Sequence, residues 1–270
     1  MLRDGLTHNR LSFKGLMETV RATVTGSCTL GIFWLGQAGF ILKTPAGAVI
    51  AIDPYLSDSC ERLVGYKRIM RPVLCPEELE ADYLFISHEH PDHFDEDLIA
   101  VLKEGEQPKL FGPPTCREKA VAAGMKQERF VCLEEDRPIR FDEFVLLPVK
   151  ADHGEACADA LGFILDFGFV KIYFAGDTAF SPEMLKTVYA CRPEIALLPI
   201  NGEFGNLNPA EAAQLAGEIG ARVLLPCHFW TFVEHGACPL QLMNIMEREL
   251  PHVQLLFLAQ GEGYIYRAAP

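Results

Sequence analysis

The chain has 270 residues, 49% of them hydrophobic, enough to bury the core of one large domain. Its 24 basic and 37 acidic residues give a formal net charge of -13, which argues against a nonspecific nucleic-acid surface or an anionic-membrane surface. Nine cysteines stand singly with no Cys-x-x-Cys pair, so a disulfide framework or a cysteine zinc site is not expected; reduced thiols in a cytoplasm fit better.

The N-terminus has mixed charge and no apolar signal core. Residues 11 to 24 place Phe13, Leu16, Met17, Val20 and Val24 on one helical face, predicting a leader helix within residues 1–27 that packs on the body or on a sister subunit of a homo-oligomer. Residues 22 to 42 carry no charge, but Thr, Ser, Gln37 and several Gly interrupt them, so no membrane span is read there. The runs Leu30 to Leu35, Phe40 to Lys43 and Val49 to Ile52 predict an antiparallel meander. It ends at Asp53-Pro54, where the carboxylate is either a turn-former or a partner for a metal-bound His. Residues 55 to 78 read as a long irregular loop. Its Lys67, Arg68 and Arg71 are either solvated charge or a hold for an anionic substrate.

The apolar run Tyr83 to Ile86 then delivers His88-Glu89-His90-Pro91-Asp92-His93, three imidazoles and two carboxylates in six residues. That density is foreign to a packed core, where unpaired polar groups are costly. The motif sits at the carboxyl end of a strand, where open α/β sheets place ligands. Pro91 keeps the preceding residue extended, so the segment is a loop and not a zincin helix. Metal binding is the expected role.

Short strands at Lys109–Phe111 and Arg129–Leu133 flank a helix from Pro114 to Ala123. A hairpin spans Ile139–Phe141 and Phe144–Val149, and His153 follows it. Two strands between Leu161 and Ala175 end at Gly176-Asp177-Thr178, and a helix is expected from Pro182 to Ala190. Strand Ile195–Pro199 leads to Asn201; helix Pro209–Ile219 has Asn208 as its cap and Gly220 as its stop. Strand Val223–Pro226 delivers Cys227, read as an inert buried thiol, and His228. His235 lies just beyond, with a substrate-side role as one reading. Helix Pro239–Leu250 and strands Val253–Leu258 and Gly263–Tyr266 complete the chain. Two meander-plus-helix halves predict an α/β, four-layer αββα sandwich as one domain over residues 28–270.

Asp53, His153, Asp177 and His228 thus repeat the placement of the 88–93 motif at strand ends, which one shared cleft explains. His88-x-His90-x-Asp92-His93, His153, Gly176-Asp177-Thr178 and His228 together resemble the metallo-β-lactamase superfamily, over most of the chain. Phe33-Trp34-Leu35-Gly36-Gln37-Ala38-Gly39, Leu197 to Gly202 and Pro226-Cys227-His228 resemble its L-ascorbate-6-phosphate lactonase branch. The resemblance implies one metal on His88, His90 and His153, a second on Asp92, His93 and His228, and Asp177 bridging them. It also implies a bridging hydroxide as nucleophile, with Asp92 orienting it or accepting its proton. The ions would be zinc or manganese, iron being admitted by the same N/O ligands. Lys67, Arg68, Arg71, Asn201 and His235 are the expected substrate-side residues, and a small anionic metabolite, a lactone first, the expected substrate. A phosphodiesterase or nuclease, and a non-hydrolytic di-iron redox protein, are the alternatives. No Gly-x-Ser-x-Gly elbow is present.

Overall fold

A computed structural model describes residues 15–268. Two seven-stranded mixed sheets face each other. The first runs β14-β1-β2-β3-β4-β5-β6 and the second β13-β12-β11-β10-β9-β8-β7. In the first, β1 (Thr29–Gly36), β2 (Gly39–Lys43) and β3 (Val49–Ile52) form the antiparallel meander, with β14 (Gly263–Arg267) antiparallel on β1. Then β4 (Tyr83–Phe85), β5 (Lys109–Gly112) and β6 (Phe130–Cys132) continue parallel from β3. The second sheet has the same plan. β7 (Ile139–Arg140), β8 (Val145–Lys150), β9 (Leu161–Asp166) and β10 (Lys171–Phe174) are antiparallel. β11 (Ile195–Pro199), β12 (Val223–Cys227) and β13 (Gln254–Leu255) run parallel from β10.

Period-two alternation decides what each strand contributes to which layer. Along β1, Leu30, Ile32 and Trp34 enter the core between the sheets, where Phe85, Phe163 and Phe174 also pack. Phe33 and Leu35 point the other way, into a second core. There they meet α1 (Leu16–Ala22), α3 (Glu96–Leu102) and α4 (Pro114–Ala122) through Leu16, Val20, Leu98, Ile99 and Ala120. On the far face of the second sheet lie α5 (Lys186–Cys191), α6 (Pro209–Ile219) and α7 (Pro239–Glu249), with Leu215, Ile219, Leu242 and Met246 buried. The four-layer αββα sandwich is therefore observed. No helix among the described residues is long and apolar enough to cross a membrane.

Several elements depart from the expected ones. α1 keeps Leu16, Met17 and Val20 buried but stops before Val24, which is 87% exposed; Phe13 lies outside the described residues. The 55–78 segment is not wholly irregular. It contains α2 (Ser59–Val64), closed by Gly65 at φ 81°, and a 3-10 turn at Pro76–Glu78. A six-residue helix is too short to show an amphipathic period. α5 starts at Lys186 instead of Pro182, and the final parallel strand is only Gln254–Leu255.

Parallel strands share a direction, so β3, β4, β10, β11 and β12 all end at one rim, and β8 ends there too because two antiparallel steps restore its direction. Asp95 ties that rim to the 55–78 segment. Its buried carboxylate caps α3 through the Asp97 and Leu98 N–H groups and also accepts from Leu56 N (2.8 Å) and Ser57 Oγ (2.6 Å). Asp95→Ala loses the cap and strands the Leu56 N–H. We expect a loss of about 2–4 kcal/mol in urea unfolding, with Asp95→Asn losing less because it keeps an acceptor.

Candidate metal centre

Each strand end delivers one part of a buried cluster. After β3, Asp53 is fully buried with φ 42°, a left-handed conformation that turns its carboxylate toward the end of β4. Its Oδ1 accepts from Ser87 N at 2.7 Å, and its Oδ2 accepts from Ser87 Oγ and meets His93 Nδ1 at 2.7 Å. The 88–93 segment is a tight turn, with His93 N and Phe94 N both donating to His90 O (2.9 and 2.7 Å). α4 braces it through Lys119 Nζ, which donates to Glu89 O at 3.0 Å and pairs with its carboxylate at 3.1 Å.

From the second sheet, Gly176 brings the chain against Ser87: at φ 62°, a Cβ there would lie 3.0 Å from Leu161 O and 3.1 Å from Ser87 Cβ. Asp177 follows. The Thr178 hydroxyl accepts from Asp152 N at 2.9 Å, which holds the His153 turn beside it. His228, at φ 59°, donates its N–H to Gln37 O at 2.8 Å.

The side chains fall into two groups that share Asp177. In one, His90 Nδ1 lies 3.0 Å from both His88 Nε2 and His153 Nε2, and His153 Nε2 lies 3.7 Å from Asp177 Oδ2. In the other, Asp177 Oδ1 lies 3.2 Å from His93 Nε2 and 3.1 Å from His228 Nε2; these nitrogens are 3.2 Å apart. Asp92 Oδ2 adds a contact of 3.2 Å to His228 Nε2. The seven side chains expected from the sequence to hold metal, His88, His90, Asp92, His93, His153, Asp177 and His228, are thus brought to one place.

The chemistry of this donor set fits cations. Burial holds His88, His90 and His153 below the usual imidazole range, so they face one another as neutral lone-pair donors. Burial would raise the Asp92 and Asp177 carboxyls, but the neighbouring His93 and His228 hold both well below their ordinary value. His93 titrates high despite its burial, because Asp177, Asp92 and Asp53 surround it. His90 Nδ1 carries one proton or one lone pair, so it completes a hydrogen bond with only one of the two nitrogens 3.0 Å from it, His88 Nε2 and His153 Nε2. Two ligands of one tetrahedral zinc, each about 2.0–2.1 Å from it, stand roughly 3.3 Å apart, close to the separations here. Asp177 Oδ1, which faces His93 Nε2 and His228 Nε2, is buried without a hydrogen-bond partner. The residues therefore fit divalent cations.

Gln37 belongs to this site although no role was assigned to its side chain from sequence. It is fully buried at φ 49°, and its Nε2 lies 2.7 Å from Asp92 Oδ2, 3.1 Å from His228 Nε2 and 2.8 Å from His235 Nδ1. An amide in the turn between two buried apolar strands was the available signal. His235 is buried, packs edge-on against Tyr66 and Phe232, and is neutral, burial pushing it down to about 4. Burial also pushes the Cys227 thiol well up, away from thiolate chemistry.

The basic trio lies elsewhere. Arg68 donates to Tyr55 O (3.2 Å), Ser57 O (3.0 Å) and Met70 O (3.0 Å), and its guanidinium stacks 4.3 Å over the Tyr55 ring. It holds its own loop together. Lys67 is exposed, 4.0 Å from Glu61, and Arg71 is exposed. Asn201 is buried, and its amide makes only a long contact of 3.4 Å to Glu203 O. None of the four lines the cavity before the cluster, whereas His235 does.

A family model described as "Beta-lactamase superfamily domain" matches residues 49–229. A UPF0173 metal-dependent hydrolase of Myxococcus xanthus is 30% identical over 210 residues, 74% of this chain and 71% of the relative. One from Caldivirga maquilingensis is 28% identical over 233 residues, 85% of this chain and 95% of the relative. Among solved structures, the metallo hydrolase Igni18 of Ignicoccus hospitalis superposes with a TM-score of 0.70 at 21% identity, covering 88% of this chain and 99% of its own. An isothiocyanate hydrolase from Delia radicum gut bacteria superposes at 0.74 and 18% identity, covering 88% and 100%. The shared sandwich, the matched segment and the convergent histidines and aspartates place this chain in the metallo-β-lactamase superfamily, among the UPF0173 metal-dependent hydrolases.

Proposed function

We propose that this protein hydrolyses a small cyclic ester, a lactone, using two divalent ions, zinc or manganese, with iron also compatible with the ligands. The observation that carries the two-ion reading is the division of Asp177, whose Oδ1 faces His93 and His228 while its Oδ2 faces His153. Two ions bound there would acidify a water and polarise a carbonyl oxygen. The lactone preference rests on the resemblance of the Phe33–Gly39 and Pro226–His228 segments to the lactonase branch.

The chain's own groups have separable tasks. Asp53 fixes the His93 ring through Nδ1, leaving Nε2 directed at Asp177 and His228. Asp92 both reaches His228 and lines the cavity, so it is the carboxylate placed to orient the attacking water and take its proton. The Gln37 amide donates to Asp92 and to His235 Nδ1, which assigns the His235 ring proton to Nε2. That N–H is a neutral donor for a substrate oxygen. In the balanced reaction water adds to the acyl carbon, the ring C–O bond breaks, and the proton held at Asp92 passes to the freed alkoxide, leaving a hydroxy acid. A phosphodiester finds no Lys or Arg in the cavity wall. For the di-iron alternative, His90 stands where those relatives resemble the motif with an acidic residue.

Asp177→Ala is expected to lower lactone hydrolysis by at least about 100-fold and to reduce bound metal below two per chain, read by turnover and by metal analysis. An Asp177→Ala protein that keeps both ions and full turnover would refute the shared carboxylate. His88→Ala is expected to lose turnover to a similar degree while its unfolding remains cooperative. Asp53→Asn removes a charge that touches no proposed ion directly, and chelator competition should show metal affinity about 10–100-fold weaker.

A further inference from the structure

The cavity before the cluster measures about 210 Å³. That is below the roughly 300–1,000 Å³ of pockets for drug-sized ligands. Its floor is His90, Asp92, His153 and Asp177, and its walls include Val64, Tyr66 and Phe204. No Lys or Arg lines it. An anionic arm lying along the Val64, Tyr66 and Phe204 wall, away from the ions proposed on the floor, would lose its hydration against apolar carbon with no Lys or Arg there to replace it.

Phe204 is the unusual part of the wall. It sits in the turn between β11 and α6 at φ 55°, between Gly202 at 68° and Gly205 at 84°. A left-handed backbone is strained for a bulky L-residue, and glycine would adopt it freely. The ring gains little from folding in return, being 55% exposed. It is aimed at the cavity instead, with its centroid 6.0 Å from Tyr66 and 5.4 Å from His235. A strained backbone carrying a half-exposed aromatic ring beside a catalytic cluster has contact with a ligand as its remaining use.

Resting on the hydrolase reading above, we infer that the substrate is an uncharged small ester or lactone with an apolar arm, and that Phe204, with Tyr66, seats that arm and sets the specificity. The acyl group lies over the cluster while the arm lies along the aromatic wall. The basic trio is then no part of substrate recognition.

The test uses the full chain reconstituted with zinc or manganese and three lactones of one ring: γ-butyrolactone, its γ-phenyl derivative, and a derivative bearing a carboxylate. The phenyl-armed lactone should exceed the unarmed one in kcat/KM by about tenfold or more, and the carboxylate should be the poorest. Phe204→Gly suits the backbone, so it should fold at least as well as the parent, yet the preference for the phenyl arm should fall about tenfold. Phe204→Leu should retain part of that preference. A preference for the carboxylate-bearing lactone, or a Phe204→Gly variant with an unchanged preference ratio, overturns the inference. If no lactone is turned over, the lactone reading fails separately, and calorimetry with the inert γ-phenyl lactam decides this one. Binding weakened by Phe204→Gly sustains the apolar-arm site, and equal or absent binding refutes it.

Discussion

The site depends on a carboxylate that solvent never reaches. Asp53 closes β3 in a left-handed turn, accepts the main-chain and side-chain protons of Ser87, and fixes His93. A buried carboxylate is tolerable only when its lone pairs are filled, and here the filling groups come from the neighbouring strand end and from the histidine loop. The same bonds therefore stabilise the rim of the first sheet and aim an imidazole across to the second. Without that anchor, the 3.2 Å approach of His93 Nε2 to both His228 and Asp177 loses the short bond that orients the ring.

The rest of the fold presents ligands to this anchor. Both sheets change from antiparallel to parallel along their width, so strands from both halves of the chain end at one rim. Each half supplies an incomplete donor set. The first contributes His88, His90, Asp92 and His93, and the second His153, Asp177 and His228. Direct ties between the sheets, such as Leu161 N to Ser87 O at 3.0 Å and His228 N to Gln37 O at 2.8 Å, keep the halves in register. Concentrating neutral imidazoles and carboxylates at that seam is unfavourable for an empty core and suits bound cations.

Much of this was legible in the sequence because the informative residues lie at strand ends. A period-two apolar run stops where a carboxylate or imidazole begins, which gives the strand, its end and the rim together. That logic located Asp53, His153, Asp177 and His228 without knowledge of the pairing. It failed where a residue's role depends on distant neighbours. Arg68 reads as a free cation in a loop, yet three main-chain carbonyls and the Tyr55 ring occupy its guanidinium. Gln37 reads as an interruption of an apolar stretch, yet its amide touches Asp92, His228 and His235, up to 198 residues away. Phe204 carries no signal at all, because neither its backbone conformation nor its exposure is written in local composition. α2 was missed for its length.

The central claim is that one shared carboxylate joins two cation sites. Anomalous X-ray scattering from crystals grown with zinc or manganese tests it most directly. Two peaks roughly 3.5–4 Å apart are expected. One should lie within bonding distance of His88, His90 and His153, the other of Asp92, His93 and His228, with one Asp177 oxygen on each. A single fully occupied peak in crystals of active protein, or two peaks with Asp177 bound to neither, would contradict it.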